Sequence, residues 1–146
     1  MKTPHLLRVD DGPETFRPLI EAARAEGLRV GWLELSGATA PVPESLGAAA
    51  DLGVLRAVAV EAGRAVAVKP LRGAPVLKDL LREHFQGCAL VLVRGELPDA
   101  PVLSPDGDGW RVAPPGIASR KAGTGNLVAS LRKPRRPEGP KGHQGQ

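Results

Sequence analysis

The stretch Cys88-Ala-Leu-Val-Leu-Val93 (CALVLV) is the strongest strand prediction in the chain. Its residues are apolar at every position instead of at alternate ones, which is typical of a strand buried on both faces in the middle of a parallel sheet. Apolar residues at helical spacing precede it over 77–85, and Gly87 suits the end of that helix. A helix followed by a fully apolar strand indicates an α/β protein.

Three further elements are predicted at the amino-terminal end. Residues 5–9 (HLLRV) form a short strand that ends in a turn at 10–13 (DDGP). Thr15 then suits the cap of a helix that ends at Gly27, and 29–35 (RVGWLEL) is the next strand. This order of strand, helix and strand is typical of a layered α/β domain.

A hairpin is predicted in the middle of the chain. Its strands are 54–60 (VLRAVAV) and 65–69 (AVAVK), and Gly63 between them can adopt the positive φ that such turns often need. A short alanine-rich helix is expected over 45–52, and a last strand near 110–113 between loops rich in proline and glycine. The order of elements predicts an α/β fold with a mixed β-sheet flanked by helices in αβα layers.

The composition bounds the kind of protein. With 146 residues, 42% hydrophobic and 3% aromatic, the chain has the size of one domain whose core consists of Ala, Val and Leu. The single cysteine excludes a disulfide framework and a cysteine-rich zinc site. No apolar run approaches the ~18 residues of a membrane span. We therefore expect a cytoplasmic protein without membrane contact.

The positive charge is concentrated at one end of the sequence. The net charge is +4, and the whole of this excess lies in residues 132–146, so the remainder is neutral. We expect an α/β domain over 1–116 and a linker or short helix over 117–131. Residues 132–146 lack any large apolar side chain and are expected to be a disordered basic tail.

Three stretches within 13–113 together resemble one protein family. They are 19–31 (LIEAARAEGLRVG), 50–69 (ADLGVLRAVAVEAGRAVAVK) and 77–101 (LKDLLREHFQGCALVLVRGELPDAP). In order and spacing they are similar to MobB, the adaptor proteins of molybdopterin-guanine dinucleotide biosynthesis, which have a P-loop NTPase-like fold of the GTPase type. The resemblance implies this fold, a molybdopterin guanylyltransferase as partner, pairing of two copies as a homodimer, and GTP with Mg²⁺ as ligands.

The phosphate loop that the resemblance implies lacks, in this chain, the residues that bind phosphate and Mg²⁺. It corresponds to 9–15 (VDDGPET), where Gly12 and Thr15 are the remnants of Gly-Lys-Ser/Thr-Thr. Pro13 replaces the lysine that reaches the terminal phosphates, and Glu14 replaces the hydroxyl that binds Mg²⁺. Pro13 also removes an N–H donor, and the carboxylates of the loop repel a triphosphate.

Two further polar positions of the family also differ. The buried strand of the family ends in Glu-Gly, whereas here it ends in Arg94-Gly95, with Glu96 one place late. Glu34 and Leu35 stand where the family tends to have Lys-His. We therefore expect no GTP hydrolysis, and the leading hypothesis is a MobB-like adaptor that is not an enzyme. The remnants of a nucleotide site are Gly12, Thr15, Gly95 and Glu96.

Two loops allow other interpretations. Asp10 and Asp11 beside Glu14 are a candidate site for a hard cation, which favours clustered carboxylates, whereas a solvated turn is the commoner setting for such aspartates. Residues 119–125 (SRKAGTG) combine glycines with basic side chains and are a candidate anion site. Because no clear strand precedes them, a linker is the favoured interpretation.

The basic tail supports a second hypothesis of a different class. Arg132, Lys133, Arg135 and Arg136 lie among prolines and loosely resemble the short basic segments that enter AT-rich minor grooves. In this alternative, a non-enzymatic binding module presents the tail to nucleic acid or to an acidic partner. The tail has no aromatic residue for base stacking, which favours a solvated tail instead.

Overall fold

The computed structural model describes residues 3–35, 43–69, 71, 73 and 76–133, which fall into two compact units. The sheet unit takes its described residues from 1–38 and 85–146, and the hairpin unit takes its residues from 39–84. The chain therefore begins in the sheet unit, leaves it for the hairpin unit and returns. The sequence-based division at 116 differs from this one, because the separation of the units depends on contacts between distant segments.

A mixed six-stranded sheet forms the centre of the sheet unit. The eight strands of the chain are β1 (His5–Val9), β2 (Val30–Glu34), β3 (Ala57–Glu61), β4 (Arg64–Val68), β5 (Leu90–Arg94), β6 (Val102–Asp106), β7 (Gly109–Ala113) and β8 (Arg120–Ala122). The sheet has the order β2-β5-β1-β6-β7-β8. β2, β5 and β1 are parallel, β6 pairs with β1 in parallel at one register position, and β7 and β8 continue antiparallel.

The prediction for the CALVLV stretch is confirmed. β5 lies between β1 and β2 and is parallel to both, and Leu90, Val91, Leu92 and Val93 are each 0% exposed. A strand with a strand on either side and side chains packed on both faces must be apolar at every position. The α/β class and the mixed sheet flanked by helices are confirmed as well, and the arrangement is consistent with αβα layers.

Two helices of the sheet unit, α1 (Arg17–Ala25) and α4 (Thr124–Leu131), pack against each other. Phe16, which is fully buried, stacks on Trp110 at a ring-centroid distance of 5.8 Å and lies 6.3 Å from Trp32. These rings join the helices to the sheet. The buried core around them consists of Leu7, Val9, Phe16, Leu19, Ala23, Leu90, Leu92, Leu103, Trp110, Val112, Leu127, Val128 and Leu131.

The start of α1 differs from the prediction that Thr15 caps it. A single 3-10 turn over Pro13–Phe16 precedes the helix, which begins at Arg17. Thr15 lies inside that turn, and its backbone N–H donates to the Gly12 carbonyl at 3.3 Å. Thr15 therefore cannot be the residue that precedes the helix. The predicted end is confirmed, because Gly27 follows α1 with φ of 77°.

The hairpin unit contains α2 (Glu44–Asp51), β3, β4 and α3 (Leu77–His84). β3 and β4 pair in antiparallel register as a two-stranded sheet of their own, and α2 packs on this hairpin. Gly63 in the turn has φ of 90°, so the predicted hairpin and its glycine turn are confirmed. The predicted helices of this region are present within one or two residues of their expected bounds.

Two predictions along the second half of the sheet unit are corrected. The strand β6 lies where prolines predicted a loop. Pro105 is tolerated in this strand because β6 pairs with β1 only at Val102, so no N–H donor is needed at Pro105 on the side that faces β1. Residues 117–131, expected as a linker or short helix, do contain the short helix α4, but they also contain the strand β8, and the buried side chains of α4 belong to the core. The predicted disordered tail lies, apart from Arg132 and Lys133, outside the described residues.

Candidate functional site

The three parallel strands of the sheet unit end at one edge, which we call the carboxyl edge. Val9, Arg94 and Glu34 are register partners on β1, β5 and β2, so they lie side by side on the same face of the sheet. In open α/β sheets, ligands bind beyond the carboxyl ends of the parallel strands. The turn between β1 and α1 begins at this edge, which makes it the candidate functional site.

The turn itself is not a phosphate cradle. Gly12 has φ of −72° and ψ of 173°, an extended conformation that any residue adopts, and Pro13 begins the 3-10 turn without an N–H. A Cβ on Gly12 would meet only the Arg94 guanidinium, at the ordinary contact distance of 3.9 Å. A cradle built from successive amides needs glycines for close approach and donors at each position. In this turn Pro13 interrupts the series of donors, and Gly12 has a conformation that does not need glycine.

Two of the three carboxylates in the turn are paired with arginines of the same unit. Glu14 accepts two hydrogen bonds from the Arg17 Nη2 atom, at 2.8 and 2.9 Å, and this interaction raises the pKa of Arg17. Asp10 lies 3.5 Å from the Arg8 guanidinium. Within the described residues, Asp11 makes no ion pair. The negative charge predicted for this turn is therefore mostly neutralised, although the pairs are exposed and contribute little to stability.

Arg94 brings a positive charge to the carboxyl edge. Its Nη1 atom lies beside Gly12, and no carboxylate in the described part of the chain is within ion-pair distance of it. The neighbouring Glu34 accepts a hydrogen bond from Trp32 Nε1 at 2.9 Å, while its second oxygen is buried without a partner. From the resemblance to MobB, Arg94 is expected only as the replacement of an acidic residue. In the structure it places a cation without a carboxylate partner among the described residues beside Gly12.

The four residues predicted as remnants of a nucleotide site lie at or just beyond the carboxyl edge, but the structure constrains them differently. Gly12 and Thr15 lie in the turn after β1, and Gly95 follows β5. Gly95 has φ of 126°, and a Cβ there would be 3.0 Å from the Leu35 Cβ atom, so this position requires glycine. Glu96 is exposed and lies beyond the end of β5. Sequence reasoning missed the pairing of Glu14 with Arg17, which the spacing of three residues could have indicated.

The cation interpretation of the turn receives no support. Within the described residues, no group of three or more His, Cys, Asp or Glu side chains is arranged to hold a metal ion. The carboxylates of Asp10 and Glu14 are engaged by Arg8 and Arg17 instead. The solvated turn is the better description.

The basic residues expected to act as a tail have several different positions. Arg132 forms an ion pair with Glu26 at the end of α1, and the Lys133 carbonyl accepts a hydrogen bond from His5 Nε2 at 2.7 Å. Arg135 and Arg136 lie outside the described residues.

The candidate anion segment 119–125 differs from the expectation that no strand precedes its glycines. The strand β8 begins at Arg120 and ends directly before Gly123.

Fold and site together define an α/β chain with a mixed sheet and a charged turn at the carboxyl edge of its parallel strands. No protein-family model matches the sequence, and no curated protein matches it either. Across the described ranges, no helix combines the length and the apolar character needed to cross a membrane.

Proposed function

We propose that this protein is a non-catalytic adaptor of the MobB type that serves molybdenum cofactor biosynthesis by binding a molybdopterin guanylyltransferase. The observation that carries the proposal is the position of the 9–15 turn. It follows a parallel strand in the interior of the sheet, with β5 on one side and β6 on the other, and leads directly into α1. A phosphate loop in a P-loop fold lies between a strand and a helix in the same way.

The chemistry of the turn supports an adaptor without GTP hydrolysis. Phosphoryl transfer needs a cation on the transferred phosphate and a hydroxyl or carboxylate that holds Mg²⁺. Pro13 has no charge, and Glu14 is held by Arg17. Arg94 supplies one positive charge, but Pro13 interrupts the series of amide donors that would surround a phosphate. Gly12, Thr15, Gly95 and Glu96 would then be structural residues at a site that has lost its nucleotide.

An adaptor needs a surface for its partner, and the hairpin unit has exposed apolar side chains. Val58 and Val60 lie on one face of β3 and are 53% and 77% exposed. Contiguous exposed apolar residues are typical of protein–protein contact sites. Within the described residues, β3 and β4 pair only with each other, so the outer edge of each strand has free backbone groups. The remaining exposed large apolar residues of this unit are Leu52, Val54, Leu55, Val66, Leu71 and Val76.

Calorimetric titration with GTP and Mg²⁺ tests the nucleotide part of the proposal. We expect no heat of binding up to millimolar nucleotide, because the lysine is replaced by Pro13. Saturable binding at micromolar GTP would contradict the proposal and indicate a working nucleotide site.

The partner part is tested with a charged substitution on the exposed hairpin face. Val60→Lys should abolish association with a molybdopterin guanylyltransferase in a size-exclusion assay, because burial of an unpaired ammonium group is unfavourable. Ile117→Lys is the matched control, since Ile117 is 69% exposed and belongs to the sheet unit. Failure of the unsubstituted protein to associate at micromolar concentration would overturn the adaptor proposal. The same columns, run without the enzyme, report whether two copies pair as a homodimer.

The concentration of positive charge after residue 131 supports the second candidate, a binding module for nucleic acid or an acidic partner. Deletion of 134–146 leaves α4 and the ion pair of Arg132 with Glu26 in place. If the tail binds nucleic acid, the deletion should abolish binding to duplex DNA together with its salt dependence. Unchanged binding after the deletion would exclude residues 134–146 as the contact.

A further inference from the structure

A cavity of about 360 Å³ opens at the amino-terminal edge of the parallel strands, at the other end of the strands from the Gly12 turn. Residues at or just before the starts of β1, β2 and β5 form one side of it, and the end of α4 forms the other. All of its lining residues belong to the sheet unit. A volume of this size lies at the lower end of the ~300–1,000 Å³ typical of small-molecule sites.

Among the described residues, the cavity is lined by positive charge without a balancing carboxylate. Arg29, Arg132 and Lys133 are among these lining residues, and none of them is acidic. Arg132 is engaged by Glu26, which lies outside the lining. In the part of the chain that the structure describes, the side chains of Arg29 and Lys133 have neither a hydrogen-bonding nor an ion-pair partner. Two unpaired cations therefore border a small cavity.

Helix dipoles do not account for these two charges. α1 and α4 both end near the cavity, and carbonyl groups at helix ends attract cations. Here the chain itself supplies donors for carbonyls at both helix ends: the Leu28 N–H donates to the Ala23 carbonyl of α1 at 3.0 Å, and the Arg132 N–H donates to the Ala129 carbonyl of α4 at 3.2 Å. The guanidinium of Arg29 lies over Gly87 instead, 3.6 Å from where a Cβ would be.

We infer that this cavity binds a small organic anion. Arg29 and Lys133 hold its phosphate or carboxylate group, and Leu28, Ala89 and Leu131 provide the apolar part of the lining for its hydrocarbon portion. Arg29 forms the planar, charged fork that recognises either oxyanion. This inference is independent of the proposed adaptor function, because it uses other residues at the other edge of the sheet.

Cys88 provides a built-in reporter for the charge of the cavity. It is the single cysteine of the chain, and it lines the cavity. Burial raises the pKa of its thiol, and the nearby Arg29 guanidinium opposes that shift. Iodoacetate carries a carboxylate and iodoacetamide does not, while both alkylate the same thiolate. The ratio of their rates at Cys88 therefore measures the local charge independently of thiol ionisation.

The ratio of iodoacetate to iodoacetamide rates should exceed that of free N-acetylcysteinamide. Arg29→Gln should lower it by about three- to fivefold, as expected for removal of a unit charge close to the thiol. Lys133→Gln should lower it by a smaller factor, because Arg29 is the charge that acts on the Cys88 thiol. Arg24→Gln is the matched control, because Arg24 is an exposed residue of α1 that does not line the cavity. A ratio equal to that of the free thiol, or an equal effect of Arg24→Gln, would overturn the inference.

Ligand binding is tested by protection of Cys88 from iodoacetamide. Phenyl phosphate, benzoate and the neutral benzyl alcohol serve as probes of similar size. We expect at least one of the two anions to protect the thiol saturably where benzyl alcohol does not, and the protection to disappear in Arg29→Gln. Protection by phenyl phosphate alone assigns a phosphate ligand, and protection by benzoate extends the assignment to carboxylates. Equal protection by benzyl alcohol, or no protection by either anion, would contradict the site.

Discussion

Gly31 in the middle of β2 is a position where one methyl group should matter. A Cβ there would lie 2.8 Å from Phe85 Cε1 and 3.4 Å from the Cys88 Sγ atom, because the phenyl ring packs directly on the glycine. Gly31→Ala should therefore lower the free energy of unfolding by about 1–3 kcal/mol, the usual cost of adding a methyl group where the space is already filled. Urea denaturation followed by circular dichroism measures this change.

The control for that substitution is Gly125→Ala. Gly125 lies in α4, and a Cβ there would meet no atom within 4 Å. Alanine is the better helix former, so this variant should be more stable by up to about 1 kcal/mol. If Gly31→Ala were as stable as the unsubstituted protein, the packing of Phe85 on β2 described above would be wrong.

The junction of β7 with α4 includes one partly buried polar contact. Trp110 Nε1 donates a hydrogen bond to Thr124 Oγ1 at 2.9 Å, which joins the sheet to the first residue of the helix. Thr124→Val keeps the shape but leaves the indole N–H without an acceptor. The expected loss of stability is about 1–3 kcal/mol. Thr124→Ser retains the hydroxyl and should recover most of it, as measured by urea denaturation; equal losses in the two variants would show that the methyl group matters instead.

Elements whose signals are local could be predicted from the sequence. The CALVLV stretch by itself is enough to predict a central strand, since every residue in it is apolar. Gly27 and Gly63 likewise mark a helix end and a turn by their freedom to adopt positive φ. These signals do not depend on contacts with residues that are distant in the sequence.

Features that depend on partners distant in sequence could not be predicted. Pro105 indicates a loop until it is known that β1 leaves that side of β6 unpaired. From the resemblance alone, Arg94 only replaces an acidic residue of the MobB family. The register of β5 with β1 is what places its guanidinium beside Gly12. The cavity bordered by Arg29 and Lys133 joins segments about a hundred residues apart in the sequence, so no local pattern contains it.

The two units of the molecule differ in how much apolar surface they bury. Among the described residues, every hydrophobic side chain that is less than 2% exposed belongs to the sheet unit. Phe16, Leu19 and Leu92 are examples. From its described residues, the hairpin unit contributes only Leu46 and Ala57 to the buried hydrophobic residues. A two-stranded hairpin is marginally stable in water without further strands or a helix on its face. The hairpin unit should therefore open more readily than the sheet unit.

Hydrogen exchange measured by mass spectrometry tests this difference. Amides of β3 and β4 should exchange at least about tenfold faster than those of β1 and β5, because opening of the hairpin exposes fewer buried contacts. Leu92→Ala should lower the stability of the sheet unit by about 2–5 kcal/mol and accelerate exchange in β5 by about 30-fold or more. The hairpin amides should be unaffected by that substitution, since they exchange through their own local opening. Parallel acceleration in both units would contradict this expectation and show that the hairpin opens only when the whole chain unfolds.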